Sequence, residues 1–266
     1  MRILWLLLVV AGKISSLFSQ GWLCGRPFTL KGSIHVEGDP LGQALVFNEN
    51  EIIKISSGDT LFNRFSQMAW GPIFQVDASN PLKILVFYKE ASRIVFLDNT
   101  LSPHGEPIDL IALGYDQAEL ACTSFDNSLW LYDRLNFRLV RLNAQLQPVV
   151  IIPNLNQILN GQIQLCRLKE RNNRLYVSAF DGTVYVFDVY GSFLFSLRCP
   201  EACRCHPFDE GLRFIEMGNL VEISFKTKRS QILTSAPKSS QLVDWVSEKK
   251  AIVKISDNTY QVCRVP

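Results

Sequence analysis

The sequence predicts an all-β fold, and three observations carry that prediction. Short runs of alternating apolar residues recur along the chain, as in RLYVSAF and TVYVFD on either side of Asp181-Gly182. Period-two runs rich in β-branched and aromatic residues read as half-buried strands. A tight turn joins the two runs of each pair, and such turns recur at Asn50, Ser92, Asn127, Gly182, Asn219 and Asn258. Their separations are 42, 35, 55, 37 and 39 residues, close to the length of a four-stranded propeller blade. No window sustains helical periodicity. Together these features predict a six-bladed β-propeller.

The first residues stand apart. Arg2 precedes the apolar run ILWLLLVVAG, and Lys13 and small polar residues follow it. This is the pattern of a secretory signal peptide, residues 1–19, with cleavage after Ser19. The run is too short to span a bilayer in the mature chain. Residues 20–266 then form a single propeller domain. Removing Arg2 and Lys13 from the 27 basic residues leaves 25, matching the 25 acids. A neutral chain carries no field that favours nucleic acid or an anionic membrane. Leu23 precedes Cys24, and so bulky a residue argues against lipid attachment there.

The blades follow in order. Blade 1 is expected to comprise SIHVEG, QALVF, EIIKI and TLFNRF. Blade 2 is IFQVDA, LKILVFY, RIVFL and EPIDL; blade 3 is LIALGY, ELACTSF, SLWLY and RLVRLN. The stretch AQLQPVVIIPNLNQILNG then reads as an extended connection, and Asn154 to Leu159 as too short for a helix. Blade 4 is IQLCRL, RLYVSAF, TVYVF and FLFSLR; blade 5 is ACRCHP, LRFIE, LVEIS and QILTS. Blade 6 has QLVDWV, AIVKIS and TYQVC but no fourth strand before the chain reaches Pro266. RPFTL, Arg26 to Leu30, is expected to supply it. The ring would then close with no free edge in its last blade.

Residues for chemistry are sparse. The sequence has no G-x-S-x-G, H-E-x-x-H or phosphate-binding glycine run. His35 and His206 fall in inner strands and read as packing residues, and His104 lies in an exposed loop. Seven cysteines are present. CPEACRCH, Cys199 to His206, lacks a common zinc spacing, because neighbouring strand positions face opposite sides. The cysteines read mainly as small core residues, with a disulfide such as Cys199–Cys203 as the alternative in an exported chain. Trp130, Tyr132, Tyr185 and Phe187 are expected to pack between blades as third-strand residues. No catalytic residue, metal ligand or cofactor is assigned. The one candidate site is a ring of acids, one near the end of each first strand: Asp39, Asp77, Asp116, Glu170, Asp209 and Glu248. Set around one channel mouth, they would bind a cation or a basic partner.

Phe74 to Leu101, FQVDASNPLKILVFYKEASRIVFLDNTL, together with FDNSLWLYD and FDGTVYVFD, resembles a family of small exported propeller proteins of the Bacteroidota. The resemblance covers essentially the mature chain, and Asn80 to Lys89 is its most specific part. It implies a periplasmic protein that plugs the translocon barrel of type IX secretion, and it transfers no functional residue. The expectation is therefore a non-enzymatic periplasmic scaffold or plug that binds an outer-membrane or periplasmic protein. The alternatives are a metal-dependent hydrolase or lyase of propeller type and a propeller that binds glycan or peptidoglycan.

Overall fold

The computed structural model describes residues 22–56, 61–161, 163–237, 240–247 and 249–265. The expected signal peptide lies outside them. The described residues form six antiparallel sheets arranged as blades of a propeller. From the channel outward, blade 1 has strands His35–Gly38, Ala44–Phe47, Ile52–Ile55 and Leu61–Phe65. Blade 2 has Gln75–Asp77, Ile84–Tyr88, Arg93–Leu97 and Ile108–Asp109. Blade 4 has Leu165–Arg171, Arg174–Ala179, Thr183–Asp188 and Phe193–Arg198. Blade 5 has His206–Phe208, Gly211–Glu216, Asn219–Ser224 and Ser230–Ser235.

Blade 3 corrects the expected frame by one strand. Its strands are Ala118–Thr123, Leu129–Asp133, Arg138–Leu142 and Pro148–Ile152. LIALGY is a run of turns, and PVVII is an outer strand rather than a connection. Trp130 and Tyr132 therefore occupy the second strand. Two turns of blade 3 differ in how plainly their residues mark them. Asp126-Asn127 joins strands one and two, with Asn127 at φ 66°. The turn between strands two and three is Arg134 to Phe137, where Phe137 takes φ 45°. An aromatic residue in the left-handed region gives no turn signal in sequence. The expected connection also holds one helical turn, Leu155–Ile158, where no helix was expected.

Blade 6 has Gln241–Ser247, Lys250–Ser256 and Thr259–Arg264, and the N-terminal residues complete it. The added strand comes in two pieces. Leu23–Cys24 pairs with Arg264–Cys263, and Phe28–Thr29 pairs with Tyr260–Thr259. Gly25 N donates to Val262 O at 2.9 Å between them. A disulfide joins Cys24 to Cys263 across the same pair of strands.

The core is six apolar layers, each between neighbouring blades, since a blade has two faces and both are covered. Between blades 1 and 2, Phe47 and Ile52 meet Val86 and Tyr88. Between blades 3 and 4, Trp130 and Tyr132 meet Val177 and Phe187. Ile84–Tyr88 is buried at every position, as expected of a strand covered on both faces. Blades 6 and 1 approach closely at Gly38, where a Cβ would lie 1.6 Å from the Val246 carbonyl oxygen.

Candidate functional site

The propeller channel opens at two mouths. Residues at the beginnings of the inner strands line a cavity of about 830 Å³, together with the turns between strands two and three. Residues at the ends of the inner strands line a second cavity of about 730 Å³. We refer to these as the first and second mouth.

A cluster of charged side chains lies between them. Lys169 Nζ on blade 4 donates to Glu37 Oε2 on blade 1 and to Asp77 Oδ1 on blade 2, both at 2.7 Å. Arg167, two residues earlier on the same strand, donates to Glu37 Oε1 and to the Cys205 carbonyl oxygen. His206 Nε2 and Asp244 Oδ1, 2.8 Å apart, add a contact between blades 5 and 6. Two carboxylates thus face two cations, and the channel is bridged rather than lined by one sign of charge.

Burial alone would push the Asp77 carboxyl up. The Lys169 ammonium and hydrogen bonds from Lys169, Thr123 and Ser79 outweigh it and hold the group well below the usual carboxylate range. Burial would likewise lower Lys169, but Asp77 and Glu37 raise it. Both groups are held charged.

The six expected acids do not share one mouth. Asp77 is spent on Lys169 and on Thr123, whose N and Oγ1 both donate to Oδ2 at 2.7 Å. Glu170 is also consumed internally: Ser124 Oγ, Phe125 N and Trp130 Nε1 all donate to it at 2.6–2.9 Å. Asp39 organises its own loop, accepting from Leu41 N and Gln43 N. Asp209 is exposed and accepts from Asn172 at 2.6 Å. Asp116 lies at the first mouth, opposite the others, because of the strand shift in blade 3. Glu248 is outside the described residues. Among the described residues, no three His, Cys, Asp or Glu side chains are placed to hold a metal ion.

The cysteines also depart from expectation. Cys203 is bonded to Cys166, not to Cys199, and this disulfide lines the first mouth. Cys122, Cys199 and Cys205 are buried thiols. His35, expected to pack, is instead exposed at the first mouth with its ring stacked on Phe47, where partial loss of solvent and the nearby Arg204 guanidinium hold its pKa below the ordinary value. His104 is exposed.

Arg167, Lys169 and Glu37 were not singled out from sequence. The alternation in QLCRLKE does carry a signal, since residues two apart on an inner strand face the channel together. It shows that cations enter the channel, not which acids meet them.

Fold and channel define the class as a six-bladed β-propeller with an ion-paired centre. No family model and no curated protein matches this chain. Solved structures do. A streptogramin B lyase superposes with TM-score 0.56 at 13% identity, covering 92% of this chain and 88% of that one. The Pan2 WD40 domain of Neurospora crassa gives TM-score 0.58 at 9% identity, covering 92% and 95%. BamB of Moraxella catarrhalis gives 0.50 at 11%, covering 92% and 89%. At such identities the likeness is one of fold.

Proposed function

We propose that this chain is an exported, non-enzymatic propeller that docks a protein partner on the face around the first mouth. One observation carries the reading. Large apolar side chains stand exposed on the loops of that face, from Met68 and Ile111 on the blade connections to Leu135, Phe180 and Met217 on the turns between strands two and three. Met217 is 95% exposed and Leu135 65%. The loops of the opposite face expose fewer, namely Leu41, Leu82, Phe125 and Tyr190, and apolar residues on the loops of a rigid face are what a protein interface uses.

Export is supported by the two disulfides, which persist in oxidising compartments. The family resemblance adds the more specific form, a periplasmic plug or scaffold for the type IX secretion translocon. The bridged channel is compatible with a body that blocks rather than conducts.

Capture from native cell envelopes tests the reading. Tagged protein is expected to retain an outer-membrane or periplasmic protein, and the variant Leu135→Asp/Met217→Asp to lose it. Equal capture by both forms would overturn the assignment of this face. Mass spectrometry of the mature N-terminus checks export, with Gln20 expected first.

A further inference from the structure

The charges at the first mouth are unevenly used. Lys89 is held by Glu119 at 3.1 Å, and Arg134 holds the same carboxylate at 2.9 Å. Arg167 is committed to Glu37, and Asp244 to His206. Glu49, Glu90 and Asp116 line the cavity with exposed side chains that, among the described residues, form no ion pair. They lie in adjacent sectors: on the central turn of blade 1, on that of blade 2 and on the connection into blade 3. The guanidinium in the lining that forms no ion pair among the described residues, Arg204, is on the connection between blades 4 and 5, near His35. Two exposed aromatic residues, Phe74 and Phe180, complete the wall; the Lys89 ammonium lies 5.1 Å from the centre of the Phe74 ring, which leaves Phe180 as the aromatic face without a cation over it among the described residues.

A mouth with aromatic walls and a surplus of negative charge on one side selects its occupant by charge as well as by area. Such a surface attracts cations over several ångströms, and aromatic faces also favour them. The formal neutrality of the chain without Arg2 and Lys13 makes this surplus local rather than general.

We propose that the first mouth accepts a basic, apolar-flanked segment of a partner protein. Its Lys or Arg side chain sits against Glu49, Glu90 and Asp116, and its apolar neighbours pack on Phe74 and Phe180. This deepens the docking reading above and rests on it.

Fluorescence anisotropy with an array of short labelled peptides tests the idea. One half of the array combines Lys or Arg with Leu, Phe and Trp; the other half replaces every basic residue by Glu. Cationic members are expected to bind and anionic ones not. The charge-reversed variant E49K/E90K/D116K should weaken cationic binding by about tenfold or more and gain anionic binding. Phe180→Asp should weaken it separately, and added salt should weaken it in the native protein. Circular dichroism checks that each variant is folded. Absence of cationic binding, or binding indifferent to the triple reversal, overturns the proposal. If envelope capture needs Leu135 and Met217 but is unchanged in the triple variant, the docking face stands and this inference alone fails.

Discussion

Cys24 and Cys263 are 239 residues apart in sequence, yet they face each other across neighbouring strands and are covalently joined. The bond spans the seam where the ring of blades closes. A propeller without such a seam lock depends on strand pairing and packing between blades to hold its last blade.

Removing the lock should destabilise the fold more than removing any other covalent contact. In the chain-entropy view, closing so long a loop contributes about 5 kcal/mol. The variant Cys24→Ser/Cys263→Ser is expected to lower the Tm, with faster amide exchange in Thr259–Arg264 than in the Cys166→Ser/Cys203→Ser variant. Unchanged exchange at that strand would show that the backbone bonds suffice.

The pair Asp77–Lys169 should give stability a dependence on pH. Asp77 has a folded pKa below its unfolded value, so its contribution is complete above about pH 4 and fades as pH falls below that. Lys169 has a raised pKa, so its contribution is complete below about pH 10 and fades at higher pH. Urea midpoints should therefore fall in acid, and Asp77→Asn should flatten that acid limb.

Breaking the cluster from one side should cost more than replacing it whole. Lys169→Met leaves Glu37 and Asp77 buried beside one remaining cation, a loss of about 3–5 kcal/mol. Adding Asp77→Leu should recover part of this in denaturant unfolding. A pair of strictly additive losses would argue that the charges do not act together.

Glu170 anchors blade 4 to blade 3 through three donors, among them the indole of the buried Trp130. Glu170→Leu should cost about 3 kcal/mol, because buried donors lose their acceptor. The tryptophan emission should shift with it.

Gly38→Ala should be among the most damaging single changes in the chain. The added methyl would meet the backbone of blade 6, which cannot swing aside as a side chain would. Failure to express as soluble protein, or a Tm far below that of the parent, is the expected result; near-native stability would mean that the blades can part without cost.

The strand runs, the six-fold repeat and the N-terminal completion of blade 6 were all legible in sequence. Each rests on local chemistry: period-two burial, Asp-Gly and Asp-Asn turns, and a missing strand at one end with a spare one at the other. Blade 3 misled because Asn127 advertises its turn and Phe137 conceals one. With Asn136 as the marker in place of Asn127, the uneven separations of 35 and 55 become 44 and 46. The candidate site was less legible. Asp77 and Glu170 were found as acids at the ends of inner strands, but their partners were not.

By itself, then, the amino-acid sequence determined what repeats and what alternates, because strands and tight turns are set by residues within a few positions of each other. Tertiary structure alone decided which cysteines bond, which acids meet Arg167 and Lys169, and at which mouth Glu49, Glu90 and Asp116 gather. Those outcomes depend on distances across the ring between residues roughly 40 to 240 positions apart, and such distances exist only once the blades have closed on one another.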